Sequence, residues 1–178
     1  MRACLIILVM SLCINGCANV TTDAVVWRAQ DVSLADYQSL QMLDVFNASG
    51  RPISNEYLAY CSKRLRQELQ SQGLEIVERR EDSVNPLLVQ TSIEYFEYER
   101  TVIGSNINSS TAKESVVSVR VVMLDRALNR TVAEIKNVSS ISSMSNFRLA
   151  DRKKTLFRRT AEITANEIAK LFQPTKTE

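Results

Sequence analysis

Twelve residues, Ala3–Ile14, make an apolar run interrupted only by Ser11, and a single charge, Arg2, precedes it. No other feature constrains the chain as strongly, because so apolar a stretch must be buried, enter a bilayer or be removed. As a helix rising about 1.5 Å per residue it covers roughly 18 Å, short of the roughly 30 Å hydrocarbon core, so it does not span. A basic start, an apolar stretch of this length and small residues at its end describe a secretory signal segment that is cleaved away. The fold is then built from the remainder of the chain.

Ile14, Asn15, Gly16 and Cys17 close the segment. They resemble the lipobox of bacterial lipoproteins, in which an aliphatic residue stands three before the cysteine and a small one directly before it. The resemblance implies a diacylglyceryl group on the Cys17 thiol, cleavage after Gly16 and acylation of the new amino terminus. Cys13 follows the bulky Leu12 and Cys4 lies inside the run, so neither offers a better register. The plainer alternative is an ordinary secretory segment with Cys17 as an incidental thiol. Each buried CH₂ contributes about 0.8 kcal/mol, so one acyl chain binds a membrane marginally, whereas several on one residue hold it firmly. Asp directly after the cysteine tends to retain a lipoprotein at the inner membrane. Ala18 stands there instead, which favours the periplasmic face of the outer membrane over that of the inner one. The expected organisation is a signal peptide at 1–16, a lipidated tether at 17–36 and a single α+β domain at 37–178.

A domain of that size holds a core without staples, since about 70% of the unfolded surface is buried at roughly 150 residues. The formal charge of the full chain is +2 and Arg2 leaves with the signal, so nothing in the balance attracts nucleic acid. With Cys4 and Cys13 removed and Cys17 acylated, Cys61 is the one remaining thiol and no internal disulfide forms. The chain contains no histidine. That removes the commonest zinc ligand, the usual general base and the simplest pH switch, and no cofactor or metal is expected.

Within 17–36, the patch Val25–Trp27 has three readings: docking on the domain, a short edge strand, or contact with the membrane interface through the amphipathic Trp27. The run Tyr37–Phe46 predicts a first strand, ended by the turn formers of NASGRP. Asn55 is placed to cap a helix through Gln72, with Gly73 just beyond in the position that favours a left-handed residue. Leu58, Cys61, Leu65 and Leu69 form its apolar stripe, where Cys61 acts as a small hydrophobe. A brief strand at 74–78, a charged turn ERREDSVNP and a long strand from Leu87 come next, with Leu87, Val89, Thr91, Ile93 and Tyr95 on one face. Residues 104–114 have the composition of a loop. SVVSVRVVMLD and TVAEIKNVSSIS pair as a hairpin through Arg126–Arg130, with Val117, Val119, Val121 and Met123 sharing a face. A last helix spans Asp151–Phe172, its stripe formed by Phe157, Ala161, Ile168 and Phe172 and broadened by Ile163 and Leu171. The fold class expected is α+β, a mostly antiparallel β-sheet with two main helices packed on one face.

The segments LLVQTSIEYFEYER and VSVRVVMLDRALNRTVAEI, with its strand, Asp125 turn and strand, and the closing helix carry a family resemblance. Over residues 37–172 the chain resembles a family of bacterial lipoproteins of unknown function, built like the amino-terminal domain of TolB and the periplasmic domain of CsgG. The resemblance implies the α+β fold and carries no catalytic signature.

Ser110 and Lys113 in SSTAK match a Ser-x-x-Lys pair, but such a site needs both on the first turn of a helix and this stretch reads as loop. Glu94, Glu97 and Glu99 alternate with aromatics and read as the solvated face of a strand, with a carboxylate pair as the sharper alternative. The most unusual charge lies in RLADRKKTLFRR. Arg148, Arg152, Lys153, Lys154, Arg158 and Arg159 crowd the amino-terminal end of a helix, where the macrodipole disfavours cations. Either the ERRED turn neutralises them as a solvated face, or they form a patch for an anion or partner: phospholipid headgroups, peptidoglycan carboxylates or an acidic protein. Function is accordingly read as a non-enzymatic, membrane-anchored envelope lipoprotein that tethers or regulates an envelope assembly through a protein partner. A carrier of a small apolar ligand and a peptidoglycan-active enzyme are the alternatives.

Overall fold

Alternating burial along three long strands sets the architecture. The computed structural model describes residues 20–78, 86–102, 112–143 and 149–173. In chain order the elements are β1 (Val20–Arg28), a 3-10 turn (Leu34–Asp36), β2 (Ser39–Met42), β3 (Phe46–Asn47), α1 (Asn55–Ser71), β4 (Glu75–Val77), β5 (Leu87–Val102), β6 (Ala112–Asp125), β7 (Arg130–Ser143) and α2 (Leu149–Phe172). One sheet contains all the described strands in the order β1-β7-β6-β5-β2-β4, with β3 pairing β5 beyond the end of β2. The long pairings β1–β7, β7–β6 and β6–β5 are antiparallel, while β2–β4, β2–β5 and β3–β5 are parallel. The parallel pair β2 and β4 is joined through α1, because parallel neighbours cannot be linked by a tight turn. The result is the α+β class expected, a mostly antiparallel sheet with two helices.

Both helices lie on the face that carries Val117, Val119, Val121 and Met123, all essentially inaccessible. Their register partners Ser139, Asn137, Ile135 and Ala133 on β7, and Ile93, Thr91 and Val89 on β5, are equally buried. Against them α2 lays Leu156, Phe157, Ala161, Ala165 and Ile168, and α1 contributes Cys61, Leu65 and Leu69. Burial pushes the Cys61 thiol up to about 12, so it behaves as the small hydrophobe expected. Within the seam, Asn137 Nδ2 donates to Thr164 Oγ1 at 2.9 Å, which fixes α2 on β7.

Several local expectations are corrected. The single strand predicted at Tyr37–Phe46 is two short ones, since the Val45 N–H leaves the ladder and donates to Ser62 Oγ of α1 at 2.8 Å. Ser54, not Asn55, occupies the cap position of α1, and its side chain makes no capping bond. Gly73 does take the left-handed conformation, with φ +84°. Tyr95 leaves the buried face because the β5–β6 register shifts between Ile93 and Tyr95; Phe96 turns inward in its place and Tyr95 is exposed. Residues 112–114 of the expected loop already belong to β6, and α2 begins at Leu149 instead of Asp151. In α2 the buried stripe is centred on Leu156, Phe157, Thr160, Ala161, Thr164, Ala165 and Ile168, leaving Ile163 and Leu171 at its margins. Residues 20–28, ahead of the expected start of the domain, form an edge strand in register with β7, which is one of the readings given for Val25–Trp27.

The β6–β7 turn is held by Asp125. Its Oδ1 accepts the N–H groups of Ala127 and Leu128 at 2.7 and 2.9 Å, and Oδ2 accepts the Tyr37 hydroxyl. Asn129 supplies the left-handed residue, φ +48°, that closes the turn. Burial alone would raise the Asp125 carboxyl, but the bonds from Tyr37, Leu128 and Ala127 and the nearby Arg130 outweigh it and hold the group below the usual carboxylate range. Burial, with the bond to Asp125, pushes the Tyr37 hydroxyl up to about 12. A carboxyl depressed in the folded state stabilises the fold above its unfolded value, about 3.9, and that contribution is lost as pH falls through the depressed folded value. Urea unfolding of wild type is therefore expected to weaken progressively below about pH 4, whereas Asp125→Asn should be less stable near neutrality and show a flatter acid limb. Parallel acid limbs for the two proteins would remove Asp125 from this role.

Candidate functional site

A second irregularity in β5 builds the most unusual surface of the molecule. Between Glu97 and Arg100 the pairing with β6 slips, and Glu99 adopts φ +56°, a conformation that non-glycine residues rarely take. Its N–H donates to Ser115 Oγ of β6 at 3.1 Å. Its carboxylate turns toward the first turns of α2, 3.6 Å from the Arg152 guanidinium, with both side chains largely shielded. Next to this pair the Lys153 ammonium lies over the Tyr98 ring, 4.4 Å from its centroid, and Lys154 lies 5.4 Å from the ring of Tyr60 on α1. One turn on, Arg158 and Arg159 bind opposite oxygens of Glu162 at 2.9 and 3.2 Å, and Arg64 of α1 reaches the same carboxylate at 3.6 Å.

The electrostatic consequence depends on the kind of partner each cation has. A carboxylate cancels charge, whereas an aromatic face positions an ammonium and leaves its charge intact. Glu99 offsets Arg152, Glu68 pairs with Arg64 at 2.8 Å, and Arg158 and Arg159 share Glu162, so among the described residues Lys153, Lys154 and part of the arginine charge stay uncompensated at the surface. The structure thus brings together Arg152, Lys153, Lys154, Arg158 and Arg159. Arg148 lies outside the described residues, as does all of the ERRED turn beyond Glu78, and Glu99 and Glu162 are the acidic partners seen instead. Burial first, then the Glu99 charge, raises the Tyr98 hydroxyl, which therefore stays neutral beneath Lys153.

The acidic trio on β5 separates. Glu94 approaches Arg120 at 3.7 Å, Glu97 accepts the Tyr95 hydroxyl and Glu99 serves Arg152, so no carboxylate pair forms. Alternation hid this, since two register shifts each reverse the face count. Ser110 of SSTAK lies outside the described residues and Lys113 belongs to β6, not to a helix. Cys17 also lies outside them. Among the described residues no cluster of acidic or cysteine side chains is placed to hold a metal, and no helix is long and apolar enough to cross a membrane. Between sheet and helices, Val121, Ile135, Leu65, Leu69, Leu156 and Phe157 belong to one buried apolar cluster. A cleft of about 440 Å³ sits at the opposite end of the sheet, open to solvent, where Arg130 pairs with Asp31 at 2.8 Å beside Asp36, Tyr37 and Leu128. On the helix-free face Val25, Trp27, Tyr95 and Val138 are exposed around the Arg120–Glu134 pair. Trp27, seven residues into β1, is roughly 20 Å from the strand's start at about 3.3 Å per residue.

No protein-family model and no curated protein matches the chain. Solved structures share its fold. A protein described as a homolog of the neuraminyllactose-binding hemagglutinin from Helicobacter pylori superposes with TM-score 0.52 and 11% identity, over 77% of this chain and 87% of that one. PelC from Paraburkholderia phytofirmans, a dodecamer, gives 0.47 and 13% over 79% and 96%. A minor lipoprotein from Acinetobacter baumannii gives 0.43 and 12% over 76% and 91%. At these identities the likeness is one of fold.

Glu99 supplies a direct test of how this surface is held. Glu99→Gln leaves Arg152 without its carboxylate and is expected to cost about 1–3 kcal/mol in urea unfolding. Glu99→Gly loses the same ion pair but relieves a left-handed backbone worth about 1 kcal/mol, and should be the milder of the two. The reverse order would mean that the backbone at Glu99 is unstrained.

Proposed function

We propose that the chain is a lipid-anchored envelope protein that works by binding, with no chemistry of its own, and tethers or regulates an assembly at the periplasmic face of the outer membrane. The observation that carries this reading is the Ile14–Cys17 sequence at the end of a removable apolar run, with Cys17 three residues ahead of the first strand. The lack of histidine and the separation of the acidic trio support a binding role over an enzyme. The surface best suited to binding an anionic group is the cationic and aromatic one around Lys153 and Lys154. The TolB- and CsgG-like family assignment rests on the sequence resemblance of residues 37–172.

Intact-mass spectrometry of the membrane-extracted protein is expected to show a chain beginning at Cys17 with the added mass of its acyl groups, banding with outer membranes on a density gradient. Cys17→Ser should lose that mass entirely. A wild-type mature chain without acyl groups overturns the anchor, and banding with inner membranes overturns the assigned leaflet.

A further inference from the structure

We infer that the cationic pole around Lys153 and Lys154 docks on anionic phospholipid headgroups of the same membrane that holds Cys17, so that the domain stands on the bilayer by that pole instead of swinging on its anchor. The inference rests on the proposed lipidation of Cys17. What carries it is a continuous path of neighbours from the anchor to the patch. Val20, the first residue of β1, is in register with Ile141 of β7, and Ile141 with Ser115 of β6. The Ser115 hydroxyl accepts the N–H of Glu99, and the Glu99 carboxylate faces Arg152, beside Lys153 and Lys154. Three strand spacings of about 4.8 Å therefore separate the start of β1 from the bulge that presents the patch, roughly 15 Å in all.

Chain length closes the gap to the membrane. Cys17 precedes Val20 by three residues, and three residues fully extended reach at most about 10 Å. An acylated Cys17 thus keeps the start of β1 within roughly 10 Å of the headgroup layer, a distance comparable to the Debye length of about 8 Å at physiological ionic strength, over which surface charge is still felt. The opposite end, near the open cleft, sets Asp31, Asp36 and Asp125 beside Arg126 and Arg130, with Arg130 paired to Asp31 at 2.8 Å, so it offers no comparable group of cations to an anionic surface. Tyr98 and Tyr60, amphipathic rings lying under the two ammonium groups, suit the boundary between headgroups and water. Trp27 does not share this pole, being well along β1 on the helix-free face, so pole-first docking leaves it in solution.

The lipidated full-length protein reconstituted in phosphatidylcholine vesicles, with or without phosphatidylglycerol, tests the docking by amide hydrogen exchange. Flotation with pure phosphatidylcholine vesicles reports the anchor alone, so loss of flotation identifies a failure of the lipidation reading and not of the docking. With the anchor in place, phosphatidylglycerol is expected to slow exchange in residues 95–102 and 149–160, and raised salt to reverse this. Lys153→Gln and Lys154→Gln should each reduce the anionic-lipid effect about fivefold, as a loss near 1 kcal/mol per surface cation implies. Lys153→Arg with Lys154→Arg, which keeps charge and ring contact, should preserve it and guards against a mere folding defect. Equal exchange in both vesicle types overturns the inference. So does protection that falls on Val25, Trp27 and Val138, which would put the helix-free face on the membrane, or lysine-dependent retention on peptidoglycan with no vesicle effect.

Discussion

Phe157 is the point at which sheet and helices are locked together, and the remaining geometry depends on it. Its ring stacks on Tyr57 of α1 at 5.3 Å and tilts against Phe96 of β5 at 5.7 Å, while its carbonyl lies 4.0 Å from the Cys61 sulfur. Three elements distant in sequence therefore share one fully buried side chain. Such a contact leaves α2 little freedom to slide or roll, because neighbouring rings and the buried cluster beneath it stand where movement would take it. The position of the first turns of α2, and so of Arg152, Lys153 and Lys154, is set from inside the protein and not by the charges themselves.

Much of this was legible in the sequence. Alternation in Val117–Met123 and the spacing of Cys61, Leu65 and Leu69 gave faces that burial reproduces, because long runs in regular elements keep their period. The hairpin through Arg126–Arg130 was equally clear. What could not be read were the places where period two breaks. Nothing local marks the shifts after Ile93 and after Glu97, and each reverses the face of every residue beyond it. Tyr95 and Glu99 were accordingly given the wrong surroundings, and the partner of Arg152 was missed. The rare conformation of Glu99 has no sequence signature, since glycine would be the usual residue there. In α2, Thr160 and Thr164 lie outside the stripe expected from Phe157, Ala161, Ile168 and Phe172; each hydroxyl donates to the carbonyl one turn back, which lets it lie in the apolar seam.

The cationic cluster itself was plain from composition, but its character was not. A run of six cations predicts a site of repulsion needing acidic relief, and among the described residues that relief comes from Glu99 and Glu162 and does not reach Lys153 and Lys154. Two of the ammonium groups rest on tyrosine faces contributed by β5 and α1, one of them reached only because the bulge alters the course of β5. The same distortion that misled the face count is what assembles the surface, a case of local irregularity coinciding with the part of the molecule that has something to do.

The position of β1 bears on how such a chain reaches its folded state. β1 is the first described strand in sequence and pairs with β7, the last described strand, so this edge of the sheet cannot close until almost the whole polypeptide has been made. A chain fastened to the membrane at Cys17 would spend that interval with Val25, Val26 and Trp27 on an unpaired, β-prone segment at the bilayer surface. Pairing between such distant segments is intrinsically slow, and an open apolar strand invites association with neighbours. The first strand made is thus the last one sheltered, and the interval before β7 arrives is when this protein is most exposed to misassembly.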